Sequence, residues 1–305
     1  MNNTNPETTT LLSKLRDILG TIKKIIVHRG PSHADEIIAV ALAEAVLPET
    51  VPVYRKDPDE DDLGDAFTLV LDVGGAHDIR LRNFDHHQLP RTADPACAFS
   101  LFAEFLGVDK ALSGFFPWYD AWKCIDSKGP FAWAKQAGVD WETVKPLLSP
   151  VGDVTHRIWE KAEGEIPVNA ELVEALAEQG RDYLEAADSF TAFCIKADEK
   201  ELLQEFHGVP TLITSEEFTA EDSLKYADAY MAVRGVKGGV IVSLDNRGPG
   251  RAFFRRQDDK RIDFSRCAGK EYTSFSHPGG FILKTVSREK GMVCEVMDDA
   301  YVPTV

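Results

Sequence analysis

The chain has 305 residues, too long for one average domain and comfortable for two, and its 44% hydrophobic content supports a sizeable core. With 50 Asp+Glu against 34 Lys+Arg the net charge is −16. So acidic a surface repels polyanions and excludes broad, non-specific duplex binding, which needs many phosphate contacts. Five scattered cysteines without a CxxC pair argue against a zinc ribbon or disulfide framework and for a reducing, cytoplasmic setting. No apolar run is long enough for a membrane span, and Met1 to Thr10 reads as a polar tail without signal features.

Taken in order, Leu11, Leu15, Ile18, Leu19 and Ile22 form a helical stripe, so residues 1–22 are expected to be a tail and a helix. Lys24 to His28 reads as a buried strand, Gly30-Pro31 as a turn, and Ala34 to Ala45 as a helix capped by Ser32. Val51 to Arg55 is a further strand, Lys56 to Asp65 a solvated loop, and Phe67 to Val73 a second buried strand closed by Gly74-Gly75. This order predicts an α/β domain with a parallel sheet, whose ligands collect at the carboxyl ends of the strands. His28 and Asp72 stand at such ends.

From Ala96 to about Gly180 the pattern is helical and aromatic-rich: Phe99–Leu106, Phe115–Ile125, Phe131–Ala137, Trp141–Leu148 and Val154–Glu163. The five tryptophans fall here and read as core. Val168 to Ser189 is a candidate connector helix. The domain expectation is therefore 23–191 and 192–305. In the second part, Val209–Thr214 is a strand, Glu221–Met231 a helix, and Gly238–Leu244 forms a hairpin with Arg251–Arg256. Ile262–Ala268 is expected as a short helix, with Phe281–Thr285 and Met292–Val296 as strands that close the sheet.

Five of the eight histidines fall between His28 and His87. Imidazole and carboxylate are the usual companions around manganese, iron, cobalt or zinc. His28, His33 and Asp35 lie on one strand-to-helix turn, Asp72 ends the next core strand, Asp85-His86-His87 follows, and Asp126 ends another apolar stretch, with Asp120 its rival. That count exceeds one ion and suits a two-metal site with a bridging carboxylate, an arrangement used for phosphoryl hydrolysis. His77, His156 and His207 read as satisfied core histidines.

The motifs resemble those of the DHH phosphoesterase superfamily. Asp85-His86-His87 is similar to its namesake triplet, Val70-Leu71-Asp72-Val73-Gly74 to its second motif and Ile125-Asp126-Ser127 to its fourth. His28-Arg29-Gly30-Pro31-Ser32-His33-Ala34-Asp35-Glu36 resembles the first motif in the form of the MYG exonuclease branch, one residue longer than the common form and with His33 where aspartate is usual. Ser276-His277-Pro278-Gly279-Gly280-Phe281 resembles the glycine signature of a DHHA1-type substrate domain, with two glycines replaced by Phe275-Ser276.

The resemblance implies an α/β catalytic domain followed by a smaller α/β DHHA1-like domain. It implies two ions, Mn2+ with Mg2+, Co2+, Fe2+ or Zn2+ as alternatives. His28, His33 and Asp72 would hold one, and Asp35, Asp72, His86 and Asp126 the other. His87 would face the phosphate, Asp85 would orient the His86 or His87 ring, and His277 with the amides of Gly279 and Gly280 would grip substrate.

Seven basic residues in twenty positions, Arg247 to Arg266, suggest a phosphate-binding strip including Arg251, Arg255 and Arg256, facing the metals across a cleft. The leading expectation is a metal-dependent phosphodiesterase or exonuclease on short or single-stranded RNA or DNA. A second is a phosphatase, cyclic-dinucleotide phosphodiesterase or pyrophosphatase acting on a small phosphate ester or anhydride, and a third an inactive metal-binding regulator. No membrane partner is expected, and a homodimer is left open.

Overall fold

The computed structural model describes residues 19–90, 92–144, 150–214, 218, 220–289 and 291–303. The expected tail and the Leu11–Ile22 helix before Leu19 lie outside the described residues, as do residues 145–148 of the Trp141–Leu148 segment. The chain divides into two compact units, Met1–Ser189 and Phe190–Val305.

The first unit is built on a five-stranded sheet of order β2-β1-β3-β5-β4. Strands β1 (Lys24–Val27), β2 (Val53–Arg55), β3 (Thr68–Leu71) and β5 (Asn83–Phe84) run parallel, and β4 (His77–Asp78) pairs antiparallel at the edge. Ile25, Ile26 and Val27 and all four residues of β3 are buried, as strands covered on both faces require. Helix α1 (Ala34–Val46) is buried along nearly its whole length, including Asp35, Glu36 and Glu44. Gly180, on a later helix, lies so close to α1 that a Cβ would sit 1.9 Å from the Ala41 carbonyl oxygen.

The expected loop at Lys56–Asp65 instead contains a short helix, α2 (Glu60–Gly64). Asp59 and Asp62 form a reciprocal capping box, and Lys24 and Lys56 ion-pair with Asp62 at 2.6 and 2.8 Å. An acidic run therefore becomes a satisfied helix start. Helices α3 (Ala98–Leu106), α4 (Asp109–Phe115), α5 (Trp118–Lys128), α6 (Pro130–Ala137), α7 (Trp141–Val144) and α8 (Pro150–Trp159) follow. The expected Phe115–Ile125 helix is broken at Phe116-Pro117, because proline disfavours helical backbone at the residue before it. Of the tryptophans, only Trp159 is fully buried; Trp118 and Trp122 pack against the core, and Trp133 and Trp141 against each other.

Helix α9 (Ala170–Glu199) extends ten residues beyond the expected connector. The added turns carry Phe190 and Phe193, which pack on Phe218, Tyr226 and Tyr230. The second unit holds a six-stranded sheet of order β10-β11-β9-β8-β7-β6, in which only β7 and β8 are parallel. These strands are β6 (Leu203–Phe206), β7 (Val209–Ile213), β8 (Val240–Leu244), β9 (Arg251–Arg255), β10 (Thr273–Ser276) and β11 (Ile282–Thr285), with helix α10 (Ala220–Val233) between β7 and β8.

Strands β6 and β10 are not among the expected elements, and two expected elements differ in kind or length. Met292–Val296 is not a strand but part of helix α11 (Gly291–Ala300), since Val293, Val296, Met297 and Ala300 recur at helical spacing and bury one face. The expected Ile262–Ala268 helix shrinks to a single 3-10 turn, Phe264–Cys267, capped by Asp263.

Candidate metal centre

Because β1, β3 and β5 run parallel, their carboxyl ends fall on one edge. There β1 delivers His28, β3 delivers Asp72, and β5 delivers Asp85, His86 and His87. The first turn of α1 brings Asp35, and α5 brings Asp126. Asp72 adopts left-handed backbone, φ 60°, a conformation Asp tolerates better than most residues. Just beyond it, Gly75 (φ 67°) donates its N–H to Asp85 Oδ2 at 2.6 Å.

The donors converge in three overlapping groups whose ligand atoms lie within 4.8 Å of one another: His28, His33 and Asp72; Asp72, His86 and His87; Asp35, His86 and Asp126. Asp72 divides its oxygens between them. Oδ2 lies 3.6 Å from His28 Nε2, while Oδ1 lies 3.2 Å from His86 Nε2 and 3.7 Å from His87 Nδ1. His86 Nε2 is also 3.0 Å from Asp126 Oδ2 and 3.8 Å from Asp35 Oδ2. His33 is the loosest member, with half its side chain exposed and Nδ1 4.0 Å from Asp126 Oδ1. Asp120 points elsewhere, accepting from Ser113 and pairing with Lys123.

Asp85 attends to His87: its Oδ1 lies 3.0 Å from the His87 backbone N and 2.7 Å from the ring Nδ1. Asp35 is fixed from behind, its two oxygens accepting the N–H groups of Ala98 and Phe99 at the start of α3.

Electrostatically the cluster is short of positive charge. Burial, with the Asp72 and Asp126 charges added, pushes the Asp35 carboxyl well above its usual range. Burial would lower His28 and His86, but the facing carboxylates outweigh it, Glu36 for His28 and Asp126 with Asp72 for His86, raising the rings to about 9 and about 10. Burial alone would raise Asp85, yet hydrogen bonds from His87 and Gly75 take it down to about 2.

His28 Nε2, Glu36 Oε2, both Asp72 oxygens and His86 Nε2 are inaccessible to solvent and make no hydrogen bond, although neighbouring pairs approach to 2.5–3.6 Å. Buried polar atoms are rarely left so. Buried nitrogen and oxygen donors gathered without hydrogen bonds of their own are what divalent cations would satisfy, so the residues fit the metal the motifs imply.

Sequence reasoning missed three participants. Glu36 was noted only as part of a motif ending. Trp159 was read as core, yet its Nε1 donates to Glu36 Oε1 at 2.6 Å. His156 is no plain core residue: its Nδ1 lies 2.6 Å from Ser32 Oγ, beside the first-motif loop. No spacing signal links positions about 125 residues apart. His77 and His207 are exposed, and His207 pairs with Asp298 and stacks on Tyr301.

In the second unit the expected phosphate-gripping groups are largely committed. Arg251 is buried, donating to the Thr214 and Arg288 carbonyls; Arg256 is buried, pairing with Asp228 and donating to the Val236 and Gly238 carbonyls. Arg255 donates to the Ile262 carbonyl and to Asp258. The Gly279 N–H goes to His277 Nδ1 and the Gly280 N–H to the His277 carbonyl. These bonds engage Arg251, Arg256 and the two glycine amides within the unit itself. Two members of the run, Arg251 and Arg256, are folded inward, where a buried guanidinium needs acceptors, while Arg247, Lys260 and Arg266 are exposed.

Fold and donor set together define a two-unit α/β protein whose first unit gathers histidines and carboxylates in groups that could hold divalent cations. Residues 24–95, the stretch from β1 through His87, match the family model MYG1_exonuc, described as an uncharacterised protein family (UPF0160). A solved chain described as the DHH domain of a member of a family of ribosomal proteins aligns over 96% of this chain and 90% of its own, at 14% identity and a TM-score of 0.29. No curated protein matches. Among the described residues no helix is long and apolar enough to cross a membrane.

Proposed function

We propose that the protein is a two-metal phosphodiesterase acting on very short or single-stranded RNA or DNA. The observation that carries this reading is the division of Asp72, one oxygen toward His28 and the other toward His86 and His87. His28, His33 and Asp72 would hold one ion, and Asp72, Asp35, His86 and Asp126 the other. Bound there, divalent cations would acidify water and neutralise charge on a phosphoryl group.

The chain's own residues supply the rest. Asp85 takes the Nδ1 proton of His87 in a hydrogen bond, leaving Nε2 of this half-exposed ring to hold a proton toward a phosphate oxygen. The Asp85 hydrogen bond raises the His87 pKa against the opposing effect of burial, which favours the protonated ring at the phosphate. His86, nearly buried among Asp35, Asp72 and Asp126, keeps those carboxylates at fixed spacing.

A second reading, hydrolysis of a small nucleotide phosphate or cyclic dinucleotide, gains support from the internal use of Arg251 and Arg256, which removes two groups expected to follow a polynucleotide backbone. Turnover with Mn2+ on an oligonucleotide length series, against free nucleotide phosphates, separates the two. Activity rising with length to several nucleotides supports the first, and activity confined to mono- and dinucleotides the second. No hydrolysis of any phosphate ester by the metal-loaded protein rejects both.

A further inference from the structure

Glu36 stands in the first turn of α1 and is completely buried. Its carboxylate is split. Oε1 accepts from the indole Nε1 of Trp159, itself completely buried, at 2.6 Å, and the Arg55 guanidinium Nε lies 4.0 Å away on the same side. Oε2 makes no hydrogen bond and lies 2.5 Å from His28 Nε2, which also makes none. His28 Nδ1 lies 2.8 Å from the Arg29 carbonyl oxygen, which can only accept, so Nδ1 carries a proton and Nε2 is the nitrogen left for a cation, which would displace any proton there. Two buried donor atoms without hydrogen bonds therefore meet at short range, with Asp72 Oδ2 3.6 Å from the same nitrogen.

We propose that Glu36, tethered through Oε1 by Trp159, is a further carboxylate ligand of the cation held by His28 and Asp72. This inference rests on the metal-centre reading and deepens it. It also accounts for the donor balance. Without Glu36, the group His28, His33 and Asp72 offers two imidazoles and one carboxylate, a set that suits zinc at least as well as manganese. Adding Glu36 Oε2 equalises nitrogen and oxygen donors and shifts the site toward a harder ion. Arg55, its Nη2 bonded to the Gly30 carbonyl, sets a fixed positive charge behind Oε1 and offsets part of the cost of burying the carboxylate.

The test is metal titration of metal-free wild type and Glu36→Gln, with Mn2+ and with Zn2+, reading stoichiometry by elemental analysis and free Mn2+ by paramagnetic resonance. Gln keeps an acceptor for Trp159 but offers a neutral, poorer ligand. The expected result is two ions in wild type and, in Glu36→Gln, one Mn2+ site weakened about 10- to 100-fold while Zn2+ at that site falls much less. Equal weakening for both metals makes Glu36 an orienting acceptor for His28 and overturns the proposal, as do unchanged affinities. A wild type that binds neither metal rejects the metal-centre reading itself. Should Glu36→Gln not fold, the indole 15N–H signal of Trp159, assigned with Trp159→Phe, is followed in wild type on adding diamagnetic Zn2+ or Mg2+. A shift saturating with the first equivalents supports ligation through Glu36, and an unmoved signal overturns it.

Discussion

Asp85 Oδ1 holds both the backbone N–H and the ring Nδ1 of His87, so a single carboxylate oxygen sets the position and the tautomer of the half-exposed imidazole. Its other oxygen is held by Gly75, leaving it little freedom to turn toward a metal. Of Asp85, His86 and His87, then, only His86 is buried among Asp35, Asp72 and Asp126. Replacing Asp85 with Asn keeps the shape but allows the amide to donate to Nδ1 and impose the other tautomer. Phosphoesterase turnover is expected to fall about 100-fold or more, by analogy with tautomer-fixing carboxylates elsewhere. Metal stoichiometry should stay at the wild-type value; loss of a metal would place Asp85 among the ligands instead.

Asp72 joins two donor groups, so its removal should be felt by both. Asp72→Ala is expected to lose both ions at concentrations that saturate wild type, not one. Elemental analysis after gel filtration reads the outcome, and retention of one full equivalent would show that the sites do not share this carboxylate.

Glu44 lies away from the cluster, buried on α1, with the Val51 N–H 3.3 Å from each of its oxygens. Burial raises its pKa from 4.5 to about 7, the Val51 bond offsetting only part of the effect. The sign follows from linkage. A raised acid favours the fold while it is protonated, a contribution complete below the unfolded value of 4.5 and lost as pH rises through about 7. Glu44→Gln is therefore expected to be more stable than wild type at pH 8, by about 2 kcal/mol, with the gap closing near pH 5. Paired thermal melts across this range check it, and a constant offset at all pH values would contradict it.

Gly180 marks a close helix crossing in the first unit, with space for no side chain over the Ala41 carbonyl. Gly180→Ala should destabilise the protein by about 1–3 kcal/mol despite the better helix propensity of Ala, because the helices must separate. A stabilised variant in chemical denaturation would mean that the crossing is looser than this.

Arg256 is enclosed by Asp228 and two carbonyls. Arg256→Ala should therefore lower stability by about 3 kcal/mol, through stranded acceptors, and leave KM for a mononucleotide nearly unchanged. A raised KM at wild-type stability would return Arg256 to the substrate.

Much of this protein was legible in one dimension, for identifiable reasons. Strands such as Ile25–Val27 and Leu69–Leu71 are apolar along their whole length because a parallel sheet is covered on both faces, and histidine or aspartate directly after such a run marks a strand end where ligands gather. Local chemistry was therefore sufficient to place His28, Asp72 and the Asp85-His86-His87 triplet. Whatever depended on a distant partner was not legible. That Asp126 rather than Asp120 faces His86, that Trp159 holds Glu36, and that α3 caps Asp35 are contacts between elements far apart in the chain. The same holds for the arginines of β9 and its flank, which alternation could assign to faces but not to acceptors. Sequence determined which donors stand at the strand ends, because hydrophobic periodicity and side-chain chemistry are local properties. Only the tertiary structure decided which carboxylate each imidazole meets and which charges are spent inside, because burial and hydrogen-bond satisfaction depend on neighbours supplied by other elements.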